Sequence, residues 1–264
     1  MSDTDQPLLQ SENLSVSVPG RLLVEGLDLT LRRGELLAVL GQNGTGKTLA
    51  LTTLAGLRTA HAGQVRLLGA DIAAMPRPSA ARHLVLLPQV IDDIFPATVM
   101  DTALIGRHPH IGRFRWESAA DRAIAARSLA TMGLLDLQER DILTLAGGER
   151  RRLAIAQVLT QSPDVYLLDE PTNHLDPQHQ LDALRVFRKA ADGGAGVIAS
   201  LHDVNLAVRY ADRCLLLYGD GRWDLGTTGE ILDSEKLSRL YGTPMEAVNW
   251  RSTSLYVASG NVAP

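Results

Sequence analysis

Eight consecutive residues of the 264-residue chain, Gly41-Gln42-Asn43-Gly44-Thr45-Gly46-Lys47-Thr48, have the types and spacing needed to hold a triphosphate. Glycines let successive backbone N–H groups turn inward around phosphate oxygens, where a side chain would block the approach. Lys47 is placed to neutralise the β- and γ-phosphates, and the Thr48 hydroxyl to ligate Mg²⁺. A second chemical pair, Asp169-Glu170, closes the apolar run Val165 to Leu168. Asp169 can hold Mg²⁺ opposite Thr48, and Glu170 can orient or deprotonate the water that attacks the γ-phosphate. A third stretch, Leu145-Ala146-Gly147-Gly148-Glu149, is a glycine turn at a helix start, hence another anion site. Arg150, Arg151 and Arg152 follow it, where cations oppose the helix dipole by roughly 0.3–1 kcal/mol each. An anionic ligand or acidic partner nearby would explain that cost; a solvated basic turn is the plainer reading.

The elements that must position these residues follow from periodicity. Leu36 to Leu40 reads as a buried strand and Leu49 to Ala55 as a helix, so the glycine loop has the strand–loop–helix context of a P-loop. Short β-rich runs occupy Leu14 to Val18, Leu22 to Leu31, Glu35 to Leu40, Gln64 to Leu68 and His83 to Leu87, with Pro76-Arg77-Pro78 as a loop. From about Val90 to Gln161 the pattern is helical, including Asp121 to Met132 and Glu149 to Gln161. Beyond Pro163, strands at 165–168, 196–201 and 213–218 alternate with helices at 178–190 and 204–210. That alternation predicts a mostly parallel sheet covered by helices. The last dozen residues read as a loosely held tail.

Composition narrows the class. A formal charge of −4 argues against nucleic acid as the main partner. The single cysteine, Cys214, lies in the apolar run 214–218 and reads as a strand-core thiol. Residues Met1 to Glu12 are polar and acidic, without the features of a signal peptide. No apolar run approaches the ~20 residues that span a bilayer, so any membrane association is expected to go through a partner. His174 and His179 read as structural or surface residues. His108 and His110 are near neighbours, but Pro109 between them and the lack of a nearby carboxylate or cysteine argue against a metal pair.

The order of these motifs resembles the ATP-binding subunit of an ABC transporter, and the resemblance covers essentially the whole chain. Residues 41–48 match the Walker A motif, Gln89 the Q-loop, and Leu145 to Glu149 the signature. Asp169-Glu170 matches Walker B, Asn173-His174-Leu175-Asp176 the D-loop with its Asp176, and His202 the switch histidine. The resemblance implies an α/β fold: a P-loop NTPase core with a mostly parallel sheet and an N-terminal antiparallel β subdomain. A helical subdomain over about 90–163 is expected to interrupt the core within one ABC ATPase domain, 1–264. It implies ATP and Mg²⁺ as ligands, with Thr48, Gln89 and Asp169 around the metal and Glu170, His202 and Gln89 as the catalytic set. It also implies a homodimer in which each signature turn faces the partner's ATP, which would supply the anion beside Arg150–Arg152.

Two positions depart from the family pattern. Val18 stands where an aromatic residue usually stacks on adenine, a loss of roughly 1–3 kcal/mol, or ~5–150-fold in affinity. Ala146 replaces the signature serine, which removes a hydroxyl contact to the partner's γ-phosphate worth about 1.5–3 kcal/mol.

Ile105 to His110, Pro171 to Asp176 and His202 to Ala207 resemble the subfamily serving importers of iron chelates (siderophore or haem) and cobalamin. This implies transmembrane permease subunits, a substrate-binding protein that feeds them, and a peripheral position on the cytoplasmic face of the inner (plasma) membrane. Phe95 to Val99 is expected where the permease docks, beside a basic-aromatic patch of Arg107, Arg113, Arg115 and Trp116. Cobalamin is placed first among the cargoes and ferric siderophore second, although an ATPase subunit does not touch the cargo. The competing class is a soluble ABC ATPase acting on the ribosome or DNA. Its ribosomal members carry two nucleotide domains per chain, its DNA-repair members a long coiled coil, and neither feature is present. A P-loop kinase or GTPase leaves the signature turn and His202 unexplained.

Overall fold

A computed structural model describes residues 6–90, 96–112, 115–251 and 253–259. The chain opens with β1 (Leu9–Val18) and β2 (Arg21–Leu31), an antiparallel pair joined at Pro19-Gly20, where Gly20 takes φ +76°. β3 (Leu36–Leu40) runs into the glycine loop and α1 (Lys47–Leu54). β4 (Ala62–Leu67) and β5 (Ala70–Asp71) return to the first pair, giving an antiparallel sheet ordered β2-β1-β4-β5.

Next comes α2 (Arg77–His83), where a loop was expected. Pro78 lies in its first turn, where a missing N–H costs the helix nothing. β6 (Leu84–Leu87) follows. Up to β7 (Val165–Leu168) the regular elements are helical: α3 (Val99–Leu104), a 3₁₀ turn at Ile105–His110, α4 (Ala119–Thr131) and α5 (Gly147–Gln161), with two short 3₁₀ turns before α5. Ser118 and Asp121 close the N-terminus of α4 reciprocally. α6 (Pro177–Asp192), β8 (Gly196–Ser200), α7 (Val204–Tyr210), β9 (Arg213–Leu217) and β10 (Trp223–Thr227) complete the core.

The second sheet is ordered β10-β9-β3-β8-β7-β6, parallel except for β10. Every residue of β3, β7 and β8 is buried, which is why these strands read as unbroken apolar runs rather than alternating ones. Within β3 the strand period still sorts the side chains. Leu36, Ala38 and Leu40 pack on the helical side with Ile155 and Phe187, while Leu37 and Val39 pack toward α1 and the antiparallel sheet. Cys214 is fully buried, and burial pushes its thiol up to about 12.

Helices α8 (Thr228–Ile231) and α9 (Ser234–Tyr241) lead to a hairpin of β11 (Met245–Trp250) and β12 (Thr253–Ala258). The expected loose tail is therefore an ordered strand as far as Ala258. Asn205 of α7 anchors it, accepting from the Tyr256 N–H at 2.8 Å and donating to its carbonyl at 3.1 Å. Residues 260–264 lie outside the described residues.

Candidate functional site

The parallel order brings the C-terminal ends of β3, β6, β7 and β8 to one edge, where open α/β sheets bind ligands. Directly after β3 the loop has room only for glycine at two points. A Cβ on Gly41 would sit 2.6 Å from both the Leu217 carbonyl and the Thr45 hydroxyl. Gly46, the residue before α1, has φ +102° and faces Leu23. Of the eight loop residues, Gly41, Thr45, Gly46 and Lys47 are buried, whereas Gln42, Asn43, Gly44 and Thr48 are exposed. The Lys47 ammonium donates to the carbonyls of Gly41 (2.8 Å) and Gln42 (3.1 Å). Burial lowers its pKa, and the negative charges of Glu170 and Asp169 work against that shift. A cavity of about 580 Å³, in the range of small-molecule sites, opens over this loop.

At the end of β7 the Thr48 hydroxyl donates to Asp169 Oδ2 at 2.6 Å, and the Ser200 hydroxyl to Asp169 Oδ1 at 2.7 Å. Ser200 Oγ in turn accepts the Glu170 N–H at 2.8 Å. Glu170 has φ +49°, a left-handed conformation costing a non-glycine residue on the order of 1–3 kcal/mol. Its buried carboxylate receives Gln89 Nε2 at 2.8 Å and the Asn173 side-chain amide, and His202 Nε2 stands 2.6 Å away. Gln89, Glu170 and His202, far apart in sequence, thus meet around one carboxylate and line the same cavity as Lys47 and Thr48. The donors around Asp169 are hard oxygens (a hydroxyl and a carboxylate, with the Gln89 amide nearby), a set suited to Mg²⁺. Val18 and Leu23 add aliphatic walls to the cavity, and Arg21 is tied to the Gly219 carbonyl.

The signature turn lies elsewhere: none of Leu145 to Glu149 lines this cavity. Leu145 is buried, Ala146 and Gly147 are exposed, and Glu149 accepts the Ala146 N–H at 2.9 Å. Each of the three following arginines reaches carbonyls of its own chain. Arg150 bonds Leu143 and Leu145, and Arg152 bonds Met132. Arg151, only 3 % exposed, bonds Pro88, Gln89, Asp169, Glu170 and Pro171. Burial lowers its pKa to about 10 against the pull of Asp169 and Glu170, so it stays charged near neutrality.

Asp176 caps α6 by accepting the His179 N–H, and the His179 ring sits on the same carboxylate at 2.8 Å. The expected basic-aromatic patch also changes. Arg107 turns inward onto Asp121 at 2.9 Å and onto the Thr160 carbonyl at 3.1 Å, leaving Arg115 and Trp116 exposed. Phe95 and Arg113 lie outside the described residues.

Sequence reasoning missed Ser200 and the role of Arg151, and met Asn173 only as part of a motif. A lone hydroxyl in the apolar strand at 196–201 was the available signal for Ser200.

A parallel sheet with a P-loop, an acidic strand end and a carboxylate-centred cluster defines a nucleoside triphosphatase fold. The ABC transporter family profile matches residues 24–173. The chain resembles the hemin import ATP-binding protein HmuV of Pseudomonas fluorescens, with 42% identity over 89% of this chain and 92% of that one. It also resembles HmuV of Deinococcus radiodurans (44% identity over 80% and 81%). The cobalamin import ATP-binding protein BtuD of Halobacterium salinarum is 37% identical over 87% of this chain, which spans 57% of that protein. Among solved structures, an inward-facing metal-chelate type ABC transporter superposes with a TM-score of 0.82 at 29% identity over 96% of this chain and 97% of that one. The chain belongs to the ABC transporter family, as an ATP-binding subunit whose ATPase activity is coupled to transport. Among the described residues no helix is long and apolar enough to cross a membrane.

Proposed function

We propose that this chain energises import of a metal chelate of the haem or cobalamin kind, hydrolysing ATP as a homodimer. Its place is the cytoplasmic face of the inner membrane, on permease subunits fed by a substrate-binding protein. The observation that carries the hydrolytic part is the meeting of Lys47, Thr48, Gln89, Glu170 and His202 on one cavity. Lys47 and the N-terminus of α1 bind the β- and γ-phosphates. Thr48, Gln89 and Asp169 hold Mg²⁺, which supplies charge neutralisation on the phosphate oxygens. Glu170 is the general base: its carboxylate is aimed by the Ser200 bond to its N–H and takes the proton of the attacking water. His202 leaves Glu170 to donate to the γ-phosphate as charge develops there.

The whole chain acts as one ATPase domain, with the segment of about 90–163 as a helical subdomain whose exposed Arg115 and Trp116 suit a permease contact. Haem is placed ahead of cobalamin, because the two HmuV proteins are matched over most of their lengths and BtuD over little more than half. The test is uptake of labelled haem and labelled cobalamin in the native cell, wild type against chromosomal Glu170→Gln. Loss of haem uptake at unchanged permease levels is expected. Unchanged uptake of both would discard these cargoes and move ferric siderophore to the front.

A further inference from the structure

Three consecutive arginines are the fourth to sixth residues of α5, yet they do different things. Arg150 and Arg152 bond carbonyls of the helical segment itself, at Leu143, Leu145 and Met132. Arg151 leaves that segment and enters the sheet. Its Nη1 donates to Pro88 O at 2.7 Å and Gln89 O at 3.4 Å, its Nη2 to Asp169 O and Glu170 O at 2.7 Å each, and its Nε to Pro171 O at 3.3 Å. One planar fork therefore ties together the chain leaving β6 and the chain leaving β7. The latter makes its left-handed turn at Glu170, whose N–H is held by Ser200. No carboxylate is needed to explain the guanidinium, because its five bonds to carbonyls use its full donor set. A lysine has three donors and no plane, so it cannot serve both strand ends in this way.

We propose that Arg151 is a positioning residue for ATP hydrolysis, acting through the backbones of Gln89 and Glu170 to aim the side chains that meet at the attacking water. The inference rests on the ATPase reading above. It makes the signature helix a direct structural support of the catalytic carboxylate in its own subunit.

The test is steady-state ATPase of the full-length protein, read as separate kcat and KM values, with nucleotide affinity from a fluorescent ATP analogue. Arg151→Gln is expected to lower kcat ~30–100-fold with affinity within about threefold, the signature of a misaimed group rather than a lost ligand. Arg151→Lys should recover part of the loss. In a Glu170→Gln background, Arg151→Gln should change the residual rate by less than about threefold, because a residue acting through Glu170 has nothing left to position. A kcat within about threefold of wild type for Arg151→Gln would overturn the proposal. So would full additivity with Glu170→Gln, or activity that merely tracks the folded fraction in thermal melts of both variants. A wild-type protein without ATPase activity would instead defeat the functional reading, and this inference with it.

Discussion

Two glycine turns head two helices in this protein, and they differ in what demands the glycine. At the P-loop the demand comes from the chain itself: a Cβ on Gly41 would collide with the Leu217 carbonyl, and Gly46 takes φ +102°. At the signature turn a Cβ on Gly147 would meet nothing within 4 Å, and Gly147 is absent from the positive-φ glycines. The fold would accept a side chain there. A glycine that the subunit does not require points to something that approaches from outside, and the proposed occupant is the nucleotide held by a second copy. Thr48 of the P-loop is tied to Asp169, which Ser200 also holds; Ala146 and Gly147 of the signature turn are exposed. In the proposed homodimer, one turn would be a complete half-site and the other the complementary half offered to a partner.

The largest effect expected from breaking this contrast is on the complete half. Glu170→Gln should lower kcat by ~10²–10⁴ while leaving nucleotide affinity within about threefold, as read by phosphate release and equilibrium binding. Lys47→Ala should instead weaken binding itself by ~10–150-fold, the loss of a charge-assisted contact, in the same binding assay.

The two glycines then separate by readout. Gly41→Ala should lower the melting temperature by several degrees, because backbone must move to admit the methyl group. Gly147→Ala should leave it within ~2 °C, since a surface substitution free of clashes costs little, yet reduce ATPase about tenfold or more. Equal destabilisation by both would erase the distinction. The smallest effect is a gain: Ala146→Ser should strengthen ATP-driven dimerisation by roughly tenfold, about one charge-assisted hydrogen bond, measured by analytical ultracentrifugation. An unchanged dimerisation constant would show that the missing hydroxyl is immaterial.

Much of this was legible before the structure because phosphate chemistry is encoded locally. The P-loop, Asp169-Glu170 and the signature turn are contiguous segments bounded by strands and helices whose apolar pattern is plain. What escaped depends on which strand ends meet. Ser200 bridges Asp169 and Glu170 only because β8 lies beside β7, an adjacency that no local pattern states. Arg151 looked like surface charge because three arginines in a row suggest a solvated turn, and the helix phase that drives one inward depends on the sheet beneath it. Arg107 left the expected contact patch for Asp121, fourteen residues on, by the same kind of packing. The C-terminal hairpin was missed because its anchor, Asn205, lies far away on α7.

The central claim is that the signature turn completes the site of a second copy. The most direct measurement is the solution mass of the full-length Glu170→Gln protein by light scattering, with and without ATP and Mg²⁺, and again after adding Gly147→Ala. The account predicts a monomer without nucleotide, a dimer with it, and a return to monomer with Gly147→Ala although ATP remains bound. A Glu170→Gln protein saturated with ATP that stays monomeric, or a dimer indifferent to Gly147→Ala, would contradict it.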